Sequence, residues 1–142
     1  MFISVFRALV NSKQVLSPSP VPFSFLVPTL MCCFSESNIL ETSSCNLFIV
    51  SNGVLYTPGL AEGCIAGTMR MQVINLAIQN GIKVYECAIL PQHLLAADEI
   101  FLTNAIRGIN WIGGYRTKRY PNNMSRKLVV LLNEYWEKQL EL

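Results

Sequence analysis

The chain has 142 residues, 51% of them hydrophobic and only 14% charged. That is one domain's worth of sequence, able to bury a real core and too apolar to stay disordered. A net charge of +2, from 11 basic and 9 acidic residues, is too balanced for a protein held to nucleic acid by its field. No window of about 18 residues stays apolar without a polar residue or a proline, so no membrane span is expected. The opening MFISVFRALV lacks a basic stretch ahead of its apolar run, which argues against a signal peptide. Cys32, Cys33, Cys45, Cys64 and Cys87 show no recurring spacing, and His93 is the only histidine. Reduced, mostly buried thiols in a cytoplasmic protein are expected, with no metal site.

In chain order, residues 1–30 stand apart. They contain no acidic residue and no glycine, and they hold Pro18, Pro20, Pro22 and Pro28. Each proline removes a backbone donor and turns the preceding residue away from helix. The segment is read as an unassigned apolar leader, and residues 31–142 as the domain. Asn46 to Val50 (NLFIV) predicts a strand, Ser51-Asn52-Gly53 a tight turn, and Val54 to Thr57 the returning strand of a hairpin. Met69, Val73, Leu76, Ala77 and Asn80 recur at helical spacing, and Gly81 is placed to stop that helix in left-handed geometry. A strand is expected over Ile82 to Ile89 and a short helix from Pro91 to about Ala97, with His93 on its exposed side. Strands follow at Glu99 to Thr103 and Ile109 to Ile112. Arg116, Lys118 and Arg119 suggest a solvated basic loop. Ser125 is placed to cap a last helix through about Leu140, with an apolar stripe of Leu128, Leu131, Leu132, Tyr135 and Trp136. The fold class is α/β (α+β).

Chemistry concentrates in three stretches: Glu41 to Asn46 entering the first strand, the glycine-bearing loop Gly63 to Arg70 opening a helix, and Leu102 to Ile106 at the end of a buried strand. A helix that starts after a glycine-rich loop offers unpaired N–H groups and a positive dipole end, which suits an anion. Gly67 lets the backbone approach closely. Thr103 and Asn104 can add a hydroxyl and an amide. Taken singly, each stretch also fits a simple helix cap or strand end.

Taken together, the chain from about residue 31 resembles the C-terminal half of the class IV pyridoxal-phosphate enzymes. These include branched-chain and D-amino acid aminotransferases and aminodeoxychorismate lyases. A glutamate, four residues, then asparagine and an apolar strand match Glu41 to Val50. A hairpin ending in Thr-Pro matches Thr57-Pro58. A phosphate turn of glycine, two residues and arginine matches Gly67 to Arg70, and a second phosphate element matches Thr103-Asn104. The resemblance implies a curled, mostly antiparallel sheet flanked by helices, and pyridoxal 5'-phosphate as cofactor. It implies that Glu41 bonds the pyridine nitrogen, that amides of Thr68 and Met69 with Gly67 hold the phosphate, and that Thr103 and Asn104 complete its shell. Many relatives carry threonine where this chain has Met69. Arg70 divides evenly between a site role and a structural ion pair. Arg107 is a candidate for a substrate carboxylate. The family also implies an amino-acid-like substrate and a homodimer when complete.

The family's catalytic lysine precedes the glutamate. The only lysine upstream here is Lys13, whose neighbours do not resemble the family pattern. Lys83, Lys118, Lys127 and Lys138 do not match its position either. The expectation is therefore a truncated enzyme with no turnover of its own. The reaction expected of the family member is aminodeoxychorismate lysis in folate synthesis, on the run Thr103 to Ile106 followed by Gly108-Ile109. Branched-chain or D-amino acid transamination is the alternative. A non-catalytic remnant, or a generic α/β interaction domain, is the reading from another class.

Overall fold

A computed structural model describes Phe34–Ser35, Asn38–Ile39 and residues 45–141. The leader, Lys13 and Glu41 lie outside the described residues. Strands β1 (Phe34–Ser35) and β2 (Asn38–Ile39) pair antiparallel. The body of the fold is a sheet of β3 (Asn46–Ser51), β4 (Val54–Thr57), β5 (Val84–Glu86), β6 (Glu99–Asn104) and β7 (Gly108–Trp111), in the order β5-β4-β3-β6-β7. All neighbours are antiparallel except β4 and β5. That parallel pair needs a crossover, and helix α1 (Thr68–Gln79) supplies it.

Both faces of the sheet are covered, which is why β3 and β6 read as nearly continuous apolar runs. Phe48 and Val50 of β3 and Phe101 of β6 face Met69, Val73 and Ala77 of α1 and Leu128 and Leu132 of α3 (Asn123–Leu140). The rings of Phe48 and Phe101 stack with centroids 5.0 Å apart. The alternate residues Leu47, Ile49, Ile100 and Leu102 pack on the other face with Leu94 of α2 (Pro91–Ala96), Ile112 and Tyr120. This is an α/β fold with a mostly antiparallel sheet flanked by helices.

The hairpin forms as expected: Asn52 and Gly53 take φ of 51° and 75°, the pair of left-handed residues that a two-residue turn requires. Gly81 closes α1 at φ 74°. Its N–H donates to Ile78 O, and that of Ile82 to Ala77 O, so the last carbonyls are satisfied.

Four expectations are corrected. The strand expected over Ile82 to Ile89 contracts to Val84–Glu86. Ile82 is taken by the helix stop, and β4 runs into Pro58, after which Cys87 N–H makes a last bond to Thr57 O. Ser125 does not cap α3. The flanking residue is Asn122, with no side-chain bond, and the cap comes from another strand. Buried Glu99 accepts from Met124 N–H and Ser125 N–H, each at 2.8 Å, placing a carboxylate at the positive helix end. His93 is half-buried rather than exposed, because its Nδ1 accepts from Leu90 N–H at 3.0 Å and closes the first turn of α2. The basic stretch is a hairpin of β8 (Gly114–Tyr115) and β9 (Lys118–Arg119), with Arg116 at the turn in left-handed geometry.

Candidate functional site

The site grows from one corner of the sheet. Asn46 opens β3, and Thr103, near the end of β6, is its cross-strand partner. Directly opposed residues share a face, and here it is the face covered by α1. Thr103 is fully buried, and its hydroxyl has no hydrogen-bond partner among the described residues. Buried hydroxyls are ordinarily bonded, so an orphan at the foot of a helix points to something that belongs there.

The loop ahead of α1 lies over this corner. Asn46 Nδ2 donates to Ile65 O at 2.9 Å. A Cβ on Gly67 would stand 2.1 Å from Asn46 Oδ1, so only glycine allows this approach. Gly67 is the N-cap of α1, extended and without a side-chain acceptor. The first bond of the helix runs from Met71 N–H to Gly67 O at 3.1 Å. The amides of Thr68, Met69 and Arg70 therefore have no acceptor within the helix. Thr68 is exposed, whereas the Met69 side chain goes into the core. Met69 can offer the site its amide and nothing else.

Arg70 resolves to the structural alternative. It is 4% exposed, its Nη2 donates to Pro58 O at 2.9 Å, and it forms an ion pair with Glu86. Cys64 Sγ also reaches Pro58 O, at 3.3 Å. Both contacts tie this stretch to the residue that follows β4. Asn104 is largely engaged in its own hairpin. Its Oδ1 accepts from Ile106 N–H and Arg107 N–H at 3.0 and 2.6 Å, and its Nδ2 meets Cys45 Sγ at 3.2 Å. This holds the three-residue turn between β6 and β7, which carries Arg107, exposed, beside the same corner.

Of the expected site residues, Gly67 and Thr103 are linked at one corner through Asn46, and Thr68 and Met69 follow Gly67 in the first turn of α1; Asn104 turns instead to Cys45 and its own hairpin, and Arg107 is exposed on that turn. Lys83 is exposed ahead of β5, Lys118 donates to Leu95 O at 2.9 Å, and Lys127 and Lys138 are exposed on α3. Sequence reasoning gave no role to Asn46 or Glu99. The signal for Glu99 was there, the second of two adjacent acids and the one that enters an apolar run, which is a buried charge in search of donors.

A cavity of about 280 Å³ lies on the opposite face, lined by Ile49, Ser51, Tyr56, Cys87, His93 and Ala97 among others. None of the expected site residues among those described lines it. Burial, and secondarily the carboxylate of Glu62, raise the pKa of its Cys87 thiol. No group of His, Cys, Asp and Glu among the described residues could hold a metal. No described helix is long and apolar enough to cross a membrane.

A glycine-loop helix start beside a buried, unbonded threonine hydroxyl, on a mostly antiparallel sheet, is an arrangement of donors that suits an anion. The chain belongs to the class IV aminotransferases, whose family model matches residues 30–112. It is 31% identical over 93 residues to a chloroplastic branched-chain amino acid aminotransferase of Humulus lupulus, covering 64% of this chain and 23% of that protein. It is 32% identical over 79 residues to an aminodeoxychorismate lyase of Vibrio harveyi, covering 56% and 29%. Among solved structures, an aminotransferase from Brucella abortus bound to the cofactor PLP superposes with a TM-score of 0.65 and 28% identity, over 72% of this chain and 36% of that one. A Legionella pneumophila protein assigned as a 4-amino-4-deoxychorismate lyase gives 0.66 and 31%, over 70% and 38%. The match thus spans only 23% to 29% of the length of these curated relatives.

Proposed function

We propose that this chain supplies the phosphate-cradling half of a pyridoxal-phosphate enzyme acting on an amino-acid-like substrate. The observation that carries the reading is the fully buried, unpartnered Thr103 hydroxyl at the corner where Gly67 opens α1. Amides of Thr68 and Met69 and the Thr103 hydroxyl are the donors for the phosphate, and the dipole of α1 favours its charge. Gly67 gives the phosphate room. Asn104 shapes the turn beside it, and Arg107 is placed to meet a substrate carboxylate. Glu41 is assigned to the pyridine nitrogen on the family pattern. A carboxylate there keeps that nitrogen protonated, and the bound ring then serves as an electron sink for the substrate carbanion. The family's membership supports a dimeric whole protein.

For the reaction, pyruvate-releasing lysis of aminodeoxychorismate is favoured by the run Thr103 to Ile109 and by the Vibrio and Legionella relatives. Transamination of a branched-chain amino acid is the second reading, supported by 37% identity over 68 residues to an aminotransferase of Pseudomonas aeruginosa.

The test is a pair of equilibrium titrations of the purified chain, with pyridoxal phosphate and with pyridoxal. The phosphate ester is expected to bind at least about tenfold tighter, the worth of one hydrogen bond to a charged group, and inorganic phosphate should compete with it. Equal affinities would overturn the reading.

A further inference from the structure

Asn46 has no role in the reading above, yet its side chain meets the loop ahead of α1 and its strand position is opposite Thr103. It is buried, with 7% of its surface exposed. Its Nδ2 grips the Ile65 carbonyl, its Oδ1 fills the space a side chain at Gly67 would need, and its strand position is opposite Thr103. Two side-chain contacts hold the loop Ile65 to Gly67, and the strand register holds Asn46 beside Thr103. One polar side chain on β3 therefore links the helix start to the strand pair that carries the buried hydroxyl.

The alternative braces do not do this. Arg70 and Cys64 tie the chain on either side of the loop to Pro58 and Gly59, which follow β4, and neither bond is to β3 or β6. An asparagine suits the contact with β3 because it presents a donor and an acceptor from one planar group. A leucine of similar volume would leave the half-buried bond to Ile65 O unmade. A serine would not span both contacts.

We infer that Asn46 is the positioning residue of the phosphate corner: it clamps the loop Ile65 to Gly67 so that the first amides of α1 and the Thr103 hydroxyl converge on one anion. The inference rests on the proposed cofactor reading and adds a residue to it. Asn46 acts through the loop, so its loss should weaken binding of the phosphate group and leave the contribution of the ring unchanged.

The experiment measures dissociation constants of the full chain for pyridoxal phosphate and for pyridoxal, in Asn46→Ala, Gly67→Ala and the double variant. Asn46→Ala should weaken pyridoxal phosphate about tenfold, one charge-assisted bond, with pyridoxal unchanged. Gly67→Ala should do the same, since its new Cβ collides with Asn46 Oδ1. In the double variant the collision is gone, and the loss should be clearly less than the product of the two, the mark of residues that act through one contact. If Asn46→Ala does not fold, Gly67→Ala carries the test through the same ratio of the two ligands. Unchanged pyridoxal-phosphate affinity in the single variants, equal losses for both ligands, or strictly multiplicative losses would overturn the positioning role. A wild-type chain that does not distinguish the two ligands would overturn the cofactor reading and this inference with it.

Discussion

Replacing Thr103 by valine should move stability and binding in opposite directions. The side chain is fully buried and its hydroxyl is unbonded. Leaving such a group unsatisfied costs roughly 1–3 kcal/mol. Valine has nearly the same shape, and both of its methyls would rest in the pocket now holding a methyl and a hydroxyl. No cavity forms, so the only large change is the removal of that cost. Taking the low end, the ligand-free variant gains about 1 kcal/mol, a rise in Tm of about 2–8 °C for chains of this size. In the phosphate complex the same hydroxyl would donate to an anion, a bond of about 1.5–3 kcal/mol. Affinity for pyridoxal phosphate should therefore fall about 10- to 150-fold, while affinity for pyridoxal stays level. Calorimetry without ligand gives the first quantity, and paired titrations give the second. A Thr103→Val chain that is less stable than the parent would show that the hydroxyl is satisfied in solution. One that is more stable yet binds pyridoxal phosphate as before would remove Thr103 from the site.

Three further outcomes are expected. Glu99→Gln should lower stability to urea by about 1 kcal/mol through loss of charge at the start of α3. Glu99→Leu should cost roughly 2–4 kcal/mol, because the Met124 and Ser125 amides lose their acceptors; equal midpoints for both variants would refute the cap. Since burial and then the Glu62 carboxylate raise the Cys87 pKa, less thiolate is present at neutral pH than for a free cysteine. Glu62→Gln should therefore speed alkylation of Cys87 at pH 8, read by peptide mass mapping; slower alkylation would contradict the stated cause. Burial, with Tyr115 second, holds the Tyr120 pKa up at about 12, above the ordinary value of about 10. The unfolded chain releases that proton first, so this contribution to stability is intact below about pH 10 and lost as pH rises toward 12. Tyr120→Phe should flatten that alkaline decline, and an unchanged slope would rule out Tyr120 as its source.

The two kinds of information divide along a physical line. Local rules were enough for the Asn52-Gly53 turn, the stop at Gly81 and the stripe of α3, because each depends on backbone angles or on a period within one segment. Three residues of the matched motifs, Asn46, Gly67 and Thr103, are brought near one another by the fold, while Glu41 lies outside the described residues. Sequence could not assign Arg70, because both alternatives need only a cation at that position; folding decided by bringing Glu86 and Pro58 within its reach. Ser125 had the right chemistry for a cap and was displaced by Glu99, which lies 26 residues away in sequence and has the stronger, charged acceptor. The extent of β5 followed from where its partner strand meets a proline. Asn46 was visible as part of a motif and mute about its work. Its two bonding groups acquire meaning only when the loop Ile65 to Gly67, distant in sequence, is folded onto β3 beside the partner strand that carries Thr103.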